Sequence, residues 1–285
     1  MGNLTSDWHI HSHNSCDCSS LTLSELMEKT TAAGIRDFGV TDHLHTPHNL
    51  PDIEACRREY DALKPPPNFH FGIELSCVSE WELREIAKGS HPDATYGVRQ
   101  GGPPNSPLSI GATEDVLERL GVEFVVAGTH WPMYVPFERE TVIRDYHRQN
   151  MFLATHPLVD IVAHPWWWWG HWADADDVFR GDPWLDNFGK IPRSMHREFA
   201  AACRESGTVV EANIGALILN YGYPETFRWR YIEYLAGLKA DSVVLSIGSD
   251  CHNDYGAIEF DKAAGMLAKV GIVDDDFWRL PPRRP

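Results

Sequence analysis

The chain has 285 residues, 43% of them hydrophobic and 23% charged, a globular composition that excludes a disordered or low-complexity protein. Its net charge of −16 repels nucleic-acid backbones and anionic membranes unless bound cations or a basic patch intervene, so neither is an expected partner. The length suits one large α/β barrel, and a single domain over residues 1–285 is expected.

In chain order, residues 1–6 are polar and lack the basic and apolar regions of an export signal, and no apolar run is long enough to span a bilayer. A cytoplasmic location is expected. The six cysteines, Cys16, Cys18, Cys56, Cys77, Cys203 and Cys251, form no C-x-x-C pair and read as reduced thiols.

Seven short apolar runs, each ending in a polar residue, predict strands over 5–11, 37–43, 68–75, 123–130, 159–164, 208–214 and 242–250. Helical spacing predicts helices over 22–33, 52–63, 140–154, 192–205, 225–238 and 257–270, the first stopped by Gly34. Strand-helix alternation of this kind points to a parallel sheet, and here to an α/β barrel resembling the TIM barrel. Two intervals, about 76–122 and 166–191, break the spacing and read as loop insertions over the barrel mouth, the first with a Gly- and Pro-rich stretch at 89–107.

In such a barrel, chemistry gathers at the C-terminal strand ends. His9 and His11 alternate with Ile10, so an extended chain turns both imidazoles to one face. Glu74 follows Phe71-Gly72-Ile73, too apolar a run for an unpaired carboxylate, and a carboxylate there can bridge two metals. His130 and His164 each emerge from a buried run, Asp42-His43 closes the second strand, and Asp250-x-His252 closes the seventh. Any one of these residues is as well read as a hydrogen-bonded core or strand-end group; together they read as metal ligands. Histidine with carboxylate suits zinc, manganese or iron without choosing among them.

Other conspicuous residues carry two readings each. Trp166-Trp167-Trp168-Trp169, with His171, Trp172 and Trp184, either forms an aromatic pocket or lid or packs the insertion onto the barrel or another copy of the chain. Trp166, Trp167, His13 and Asn213 are the candidate substrate contacts. Glu211 and Asn213 alternate at the sixth strand end and suit either support of the ligands or plain hydrogen bonding. Cys16 and Cys18 flank Asp17 and could pass for extra zinc ligands, but if the stretch is extended alternation turns them away. His45 and His48 are candidates to line the pocket, whereas His70, His91, His147, His156 and His196 read as structural or exposed.

Taken together, Asp7-Trp8-His9-Ile10-His11-Ser12, Asp17, Thr41-Asp42-His43, Gly72-Ile73-Glu74, His130, Ala163-His164-Pro165 and Gly248-Ser249-Asp250-Cys251-His252 resemble the PHP (polymerase and histidinol phosphatase) superfamily. The resemblance spans nearly the whole chain and implies a distorted seven-stranded (β/α)7 barrel with two or three divalent transition metal ions. It implies one ion on His9, His11, Glu74 and Asp250, a second on Glu74, His130 and His164, and a third on Asp17, His43 and His252. Glu74, Asp250 and His252 are then the catalytic candidates, with either His252 or a metal-bound water as proton donor to a leaving group.

The implied activity is a phosphoesterase acting on a small organic phosphate through a metal-bridging hydroxide, a bridge that lowers the pKa of water from 15.7 toward about 7. Relatives acting on phosphate monoesters bring arginine or lysine to the phosphate. Arg99, Arg139, Arg144, Arg193, Arg228 and Arg230 sit in no recognisable phosphate motif and read as surface residues. Two alternatives stay open: a hydrolase of a bulky, weakly charged ester, amide or phosphotriester, and a non-catalytic metal-binding module. A homo-oligomer is compatible with the sequence.

Overall fold

A computed structural model describes residues 3–168 and 183–280. Its strands are β1 (Ser6–Ile10), β2 (Asp37–Val40), β3 (His43–Leu44), β4 (Phe69–Ser79), β5 (Leu108–Ile110), β6 (Phe124–Gly128), β7 (Ile161–Ala163), β8 (Val209–Asn213) and β9 (Leu245–Gly248). Its helices are α1 (Leu23–Ala32), α2 (Leu50–Leu63), α3 (Glu80–Ala87), α4 (Glu114–Leu120), α5 (Arg139–Thr155), α6 (Arg193–Ser206), α7 (Glu225–Ala240) and α8 (Phe260–Ala268).

Seven of the strands lie in the order β1-β2-β4-β6-β7-β8-β9, all parallel, with helices between them. The Ile10–Cys251 bridge brings β1 back beside β9, where the Asp250 amide donates to the His9 carbonyl at 2.7 Å and the His11 amide to the Cys251 carbonyl at 3.0 Å. The result is the nearly closed (β/α)7 barrel expected from the strand-helix alternation. Local chemistry agrees with the pattern at α1. Thr22 Oγ1 accepts from the Glu25 amide while the Glu25 carboxylate accepts from the Thr22 amide, and Leu23, Leu26 and Thr30 form the buried face.

The lower interior is filled by Trp8, Phe124, Val126, Ile161, Ala163 and Val209, with Trp278 and Leu280 packed against them. Trp8 donates its indole N–H to the Trp278 carbonyl at 3.2 Å. Gly72 leaves room for the Phe124 ring, since a Cβ there would come within 2.5 Å of it. β1 carries a register irregularity between Asp7 and Ile10, yet His9 and His11 still turn to one face, their Nε2 atoms 3.0 Å apart, while Ile10 packs into the apolar core.

The first insertion differs from the expected loop. β4 runs on past Glu74 to Ser79, because Cys77–Ser79 pair antiparallel with β5. α3 then starts on the Ser79–Glu82 capping box, and α4 ends at the left-handed Gly121. Among the described residues, no helix is long and apolar enough to cross a membrane. All six cysteines are unpaired.

Candidate metal centre

Inward-facing residues above the apolar floor belong to one polar cluster. Glu74 lies mid-strand on β4, its neighbours in register being His43 on β3 and Val126 on β6. His9 and His11 come from the end of β1, His130 and His164 from just beyond β6 and β7, and Asp250 and His252 from just beyond β9. Asp17 arrives on the loop before α1. The turns are tight: His164 and Asp250 both have positive φ, 27° and 55°, a conformation that non-glycine residues adopt sparingly and that is enriched at functional sites.

The two oxygens of Glu74 face different histidine pairs. Oε2 lies 3.1 Å from His9 Nε2 and 3.6 Å from His11 Nε2, and those two nitrogens are 3.0 Å apart. Asp250 Oδ1 joins them at 3.6 and 3.3 Å. Oε1 lies 3.1 Å from both His130 Nε2 and His164 Nε2. A third group gathers at Asp17 Oδ2, 3.1 Å from His43 Nε2 and 2.5 Å from His252 Nε2. His43 Nδ1 also comes within 2.8 Å of Glu74 Oε2.

These donors fit divalent cations. Ligands about 2.1 Å from a tetrahedral ion stand about 3.4 Å from one another, close to the separations above. Glu74 Oε2, His43 Nδ1 and His130 Nε2 are buried without a hydrogen-bond partner, an arrangement that costs free energy unless something else satisfies them. Groups able to hold an ion are His9-His11-Glu74, Glu74-His130-His164, His11-Asp17-His43-His252 and His43-His45-His130.

Charge in the cluster is mutually supported. Burial pushes the Glu74 carboxyl toward neutrality, but His43, His9 and His130 outweigh it and hold it well below the usual range. Against burial, Glu211, Asp250 and Glu74 carry His9 well above an ordinary imidazole, and Glu74 with Asp17 raises His43 to about 10. Burial, with His252 and His43, drives His11 down to about 3, and burial takes His130 to about 4.

A second layer orients the rings. Glu211 accepts from His9 Nδ1 at 2.7 Å and from the His164 amide at 2.7 Å, leaving His9 Nε2 to face Glu74. Asn213 donates to Glu211 and to Asp250 Oδ2, both at 3.0 Å. His252 Nδ1 lies 2.9 Å from the Asp250 carbonyl. Below, Asp42 accepts from the amide and hydroxyl of Ser12 at 2.6 Å each, and Asp7 from the Ser249 amide and the Tyr255 hydroxyl at 2.8 Å each.

Above the cluster is a cavity of about 220 Å³, with Asp17, His43, His130, His164, Asp250 and His252 at its base and His45, Tyr96, Arg99, Trp131 and Trp167 on its walls. Thus all nine candidate ligands come together, but only Trp167 of the four candidate substrate contacts lines the cavity. Trp166 is buried, its ring against Trp184 and His196, while its neighbour Trp167 faces the cavity. Trp168 and Trp184 are buried as well; Trp169, His171 and Trp172 lie outside the described residues. His13 is half exposed and pairs with Glu59 at 2.7 Å. Asn213 is fully buried beneath the cluster.

Arg99 corrects the surface reading. The 89–107 loop is fixed over the mouth by three bonds: Thr46 Oγ1 to the Ala94 carbonyl, the Tyr96 hydroxyl to the Cys16 carbonyl, and the Val98 amide to the buried Glu82 carboxylate. Arg99 lies over the rings of Tyr96 and Trp131 at 5.5 and 5.1 Å. Of the other arginines, Arg139 pairs with Asp186, Arg144 with Glu140 and Arg230 with Glu233. No local motif marks Arg99, whereas His43-x-His45 repeats the His9-x-His11 spacing and was a legible signal.

No family model and no curated protein sequence matches the chain. Among solved structures it is similar to a candidate histidinol phosphatase, HisK, from Listeria monocytogenes, with a TM-score of 0.54 and 11% identity over 87% of this chain and 96% of that one. It is also similar to a chain of an archaeal ribonuclease P with mature tRNA (TM-score 0.44, 12% identity, 94% and 83% covered) and to an ochratoxinase from A. niger (0.42, 12%, 94% and 67%). The first likeness shows a shared barrel fold; the two weaker ones bear on neither fold nor function.

Proposed function

We propose that this protein is a metal-dependent hydrolase acting on a small phosphate monoester. The observation that carries this reading is the division of Glu74, with one oxygen toward His9 and His11 and the other toward His130 and His164. A carboxylate so placed could serve as ligand to two cations. His9, His11, Glu74 and Asp250 would hold one ion, Glu74, His130 and His164 a second, and Asp17, His43 and His252 a third. Bound divalent ions would supply an acidified water and neutralise charge on the oxygens of the ester.

The protein's own groups do the positioning. Arg99 on the cavity wall suits an anionic oxygen, since a guanidinium recognises phosphoryl oxygens through paired N–H donors. Trp131, Trp167 and Tyr96 shape an apolar surround that excludes water from the reacting ester. With the third site empty, His252, partly exposed at the base of the cavity, or a metal-bound water would give a proton to the departing oxygen. The cavity's volume of about 220 Å³ favours a small substrate.

The aromatic wall supports a second reading, in which the substrate is a weakly charged ester, amide or phosphotriester. A panel of nitrophenyl phosphate monoesters, diesters, triesters and carboxylic esters, run with zinc-, manganese- and iron-loaded protein, separates the two. Preference for the monoester, lost in Arg99→Met through a raised KM, is the expected result. Turnover confined to triesters or carboxylic esters would favour the second reading, and a metal-loaded protein inert toward the whole panel would leave a metal-binding module.

A further inference from the structure

His45 is a buried ring that none of the three ion sites above uses. It stacks on His43 with ring centroids 4.2 Å apart and lines the same cavity as Arg99. Its Nδ1 lies 2.6 Å from Ser76 Oγ, and Ser76 Oγ lies 2.8 Å from His130 Nδ1. Ser76 stands two residues beyond Glu74 on β4, hence on the same inward face. Both ring nitrogens therefore share one buried hydroxyl.

That hydroxyl has one proton, so it can donate to only one of the two rings and must accept from the other. His130 decides which. Its Nε2 faces Glu74 Oε1 at 3.1 Å and is the atom offered to a cation, so a neutral His130 keeps its proton on Nδ1 and donates to Ser76 Oγ. Ser76 then donates to His45 Nδ1. The only ring proton left to His45 is on Nε2, which has no hydrogen-bond partner among the described residues and belongs to a residue of the cavity wall.

We propose that His45 is a substrate-contacting hydrogen-bond donor whose proton is placed on Nε2 by the chain His130–Ser76–His45, and that with Arg99 it receives an anionic oxygen of the substrate. The inference rests on the metal-centre reading above and deepens it. The ligand chemistry is a phosphoryl or carboxylate oxygen. The competing role for His45 is as a metal ligand, since His43, His45 and His130 are close enough to share an ion.

Histidine-selective 15N NMR of the zinc-loaded protein, with His45→Gln used to assign the ring, reads the tautomer directly. The expected spectrum has His45 protonated at Nε2 and bare at Nδ1. Calorimetric titration with inorganic phosphate should show affinity about 10- to 100-fold weaker in zinc-loaded His45→Gln, the range for losing a hydrogen bond to a charged group. Zinc content should equal that of wild type. In protein saturated with zinc, Ser76→Ala should scramble the His45 tautomer, and Ser76→Thr, which restores the hydroxyl, should restore it. Loss of a zinc equivalent in His45→Gln would make His45 a ligand and overturn the proposal. So would a wild-type His45 protonated at Nδ1, or phosphate affinity unchanged in His45→Gln. Wild-type protein that takes up neither zinc, manganese nor iron would overturn the metal-centre reading and this proposal together, whereas the other contrary results sink this proposal alone.

Discussion

Glu211 shows how much of the cluster's order depends on a residue outside the candidate ligand set. Its carboxylate, buried on β8, accepts from His9 Nδ1 and from the His164 amide, two histidines that face different oxygens of Glu74. Orientation of a ligating imidazole through its second nitrogen raises its basicity and fixes its tautomer. Glu211→Gln keeps the shape but weakens that acceptor, so zinc affinity should fall about 10- to 100-fold with the thermal transition little changed. Competition titration against a chromogenic chelator checks this, and undiminished affinity would remove Glu211 from the account. The pattern Glu211-x-Asn213 was visible in the sequence, but whether it supports ligands or merely ends a strand was not, because the partners lie on β1 and beyond β7.

At the scale of elements, the strand ends deliver the ligands and the small residues beneath them give those side chains room. Gly128 closes β6 under the cluster. A Cβ there would stand 2.7 Å from His164 Cε1 and 3.2 Å from both Glu74 Oε1 and His130 Cε1. Gly128→Ala therefore forces at least one ring aside, at about 1–3 kcal/mol of overpacking. The expected outcome is a folded barrel by circular dichroism that has lost the ion shared by Glu74, His130 and His164. A full metal complement by elemental analysis would show that the rings have more freedom than their packing implies. The seven barrel strands were legible because each is a short apolar run bounded by a polar tip, and the crossover helices because their apolar faces recur at helical spacing. α3, α4 and β5 were not, since they sit among glycines and prolines where periodicity over a few residues is weak. Even so, Ser79-x-x-Glu82 is a capping box in plain view, and it marks the start of α3.

On the scale of the whole molecule, the barrel separates two jobs. Apolar side chains around Phe124 fill the lower interior, and above them a layer of histidines and carboxylates holds charge that only cations or protons can balance. The clustering of the candidate ligands was readable from sequence because most of them, His11, His43, Glu74, His130, His164 and Asp250, stand at or near the end of an apolar run, which carries their side chains to one end of the barrel. Arg99, Tyr96 and Trp131 were not, since what brings them to the mouth is the anchoring of a long loop to Thr46, Cys16 and Glu82, contacts between distant parts of the chain. Trp166 and Trp167, adjacent in sequence, likewise part company through distant contacts, Trp166 packing on Trp184 and His196 while Trp167 lines the cavity.

The central claim is that Glu74 joins two ions, and anomalous scattering from metal-loaded crystals, recorded at the zinc, manganese and iron edges, tests it most directly. The account predicts one peak among His9, His11 and Asp250 and another between His130 and His164, each within bonding distance of a different Glu74 oxygen. Peaks elsewhere, or a single ion that leaves Glu74 untouched, would contradict it.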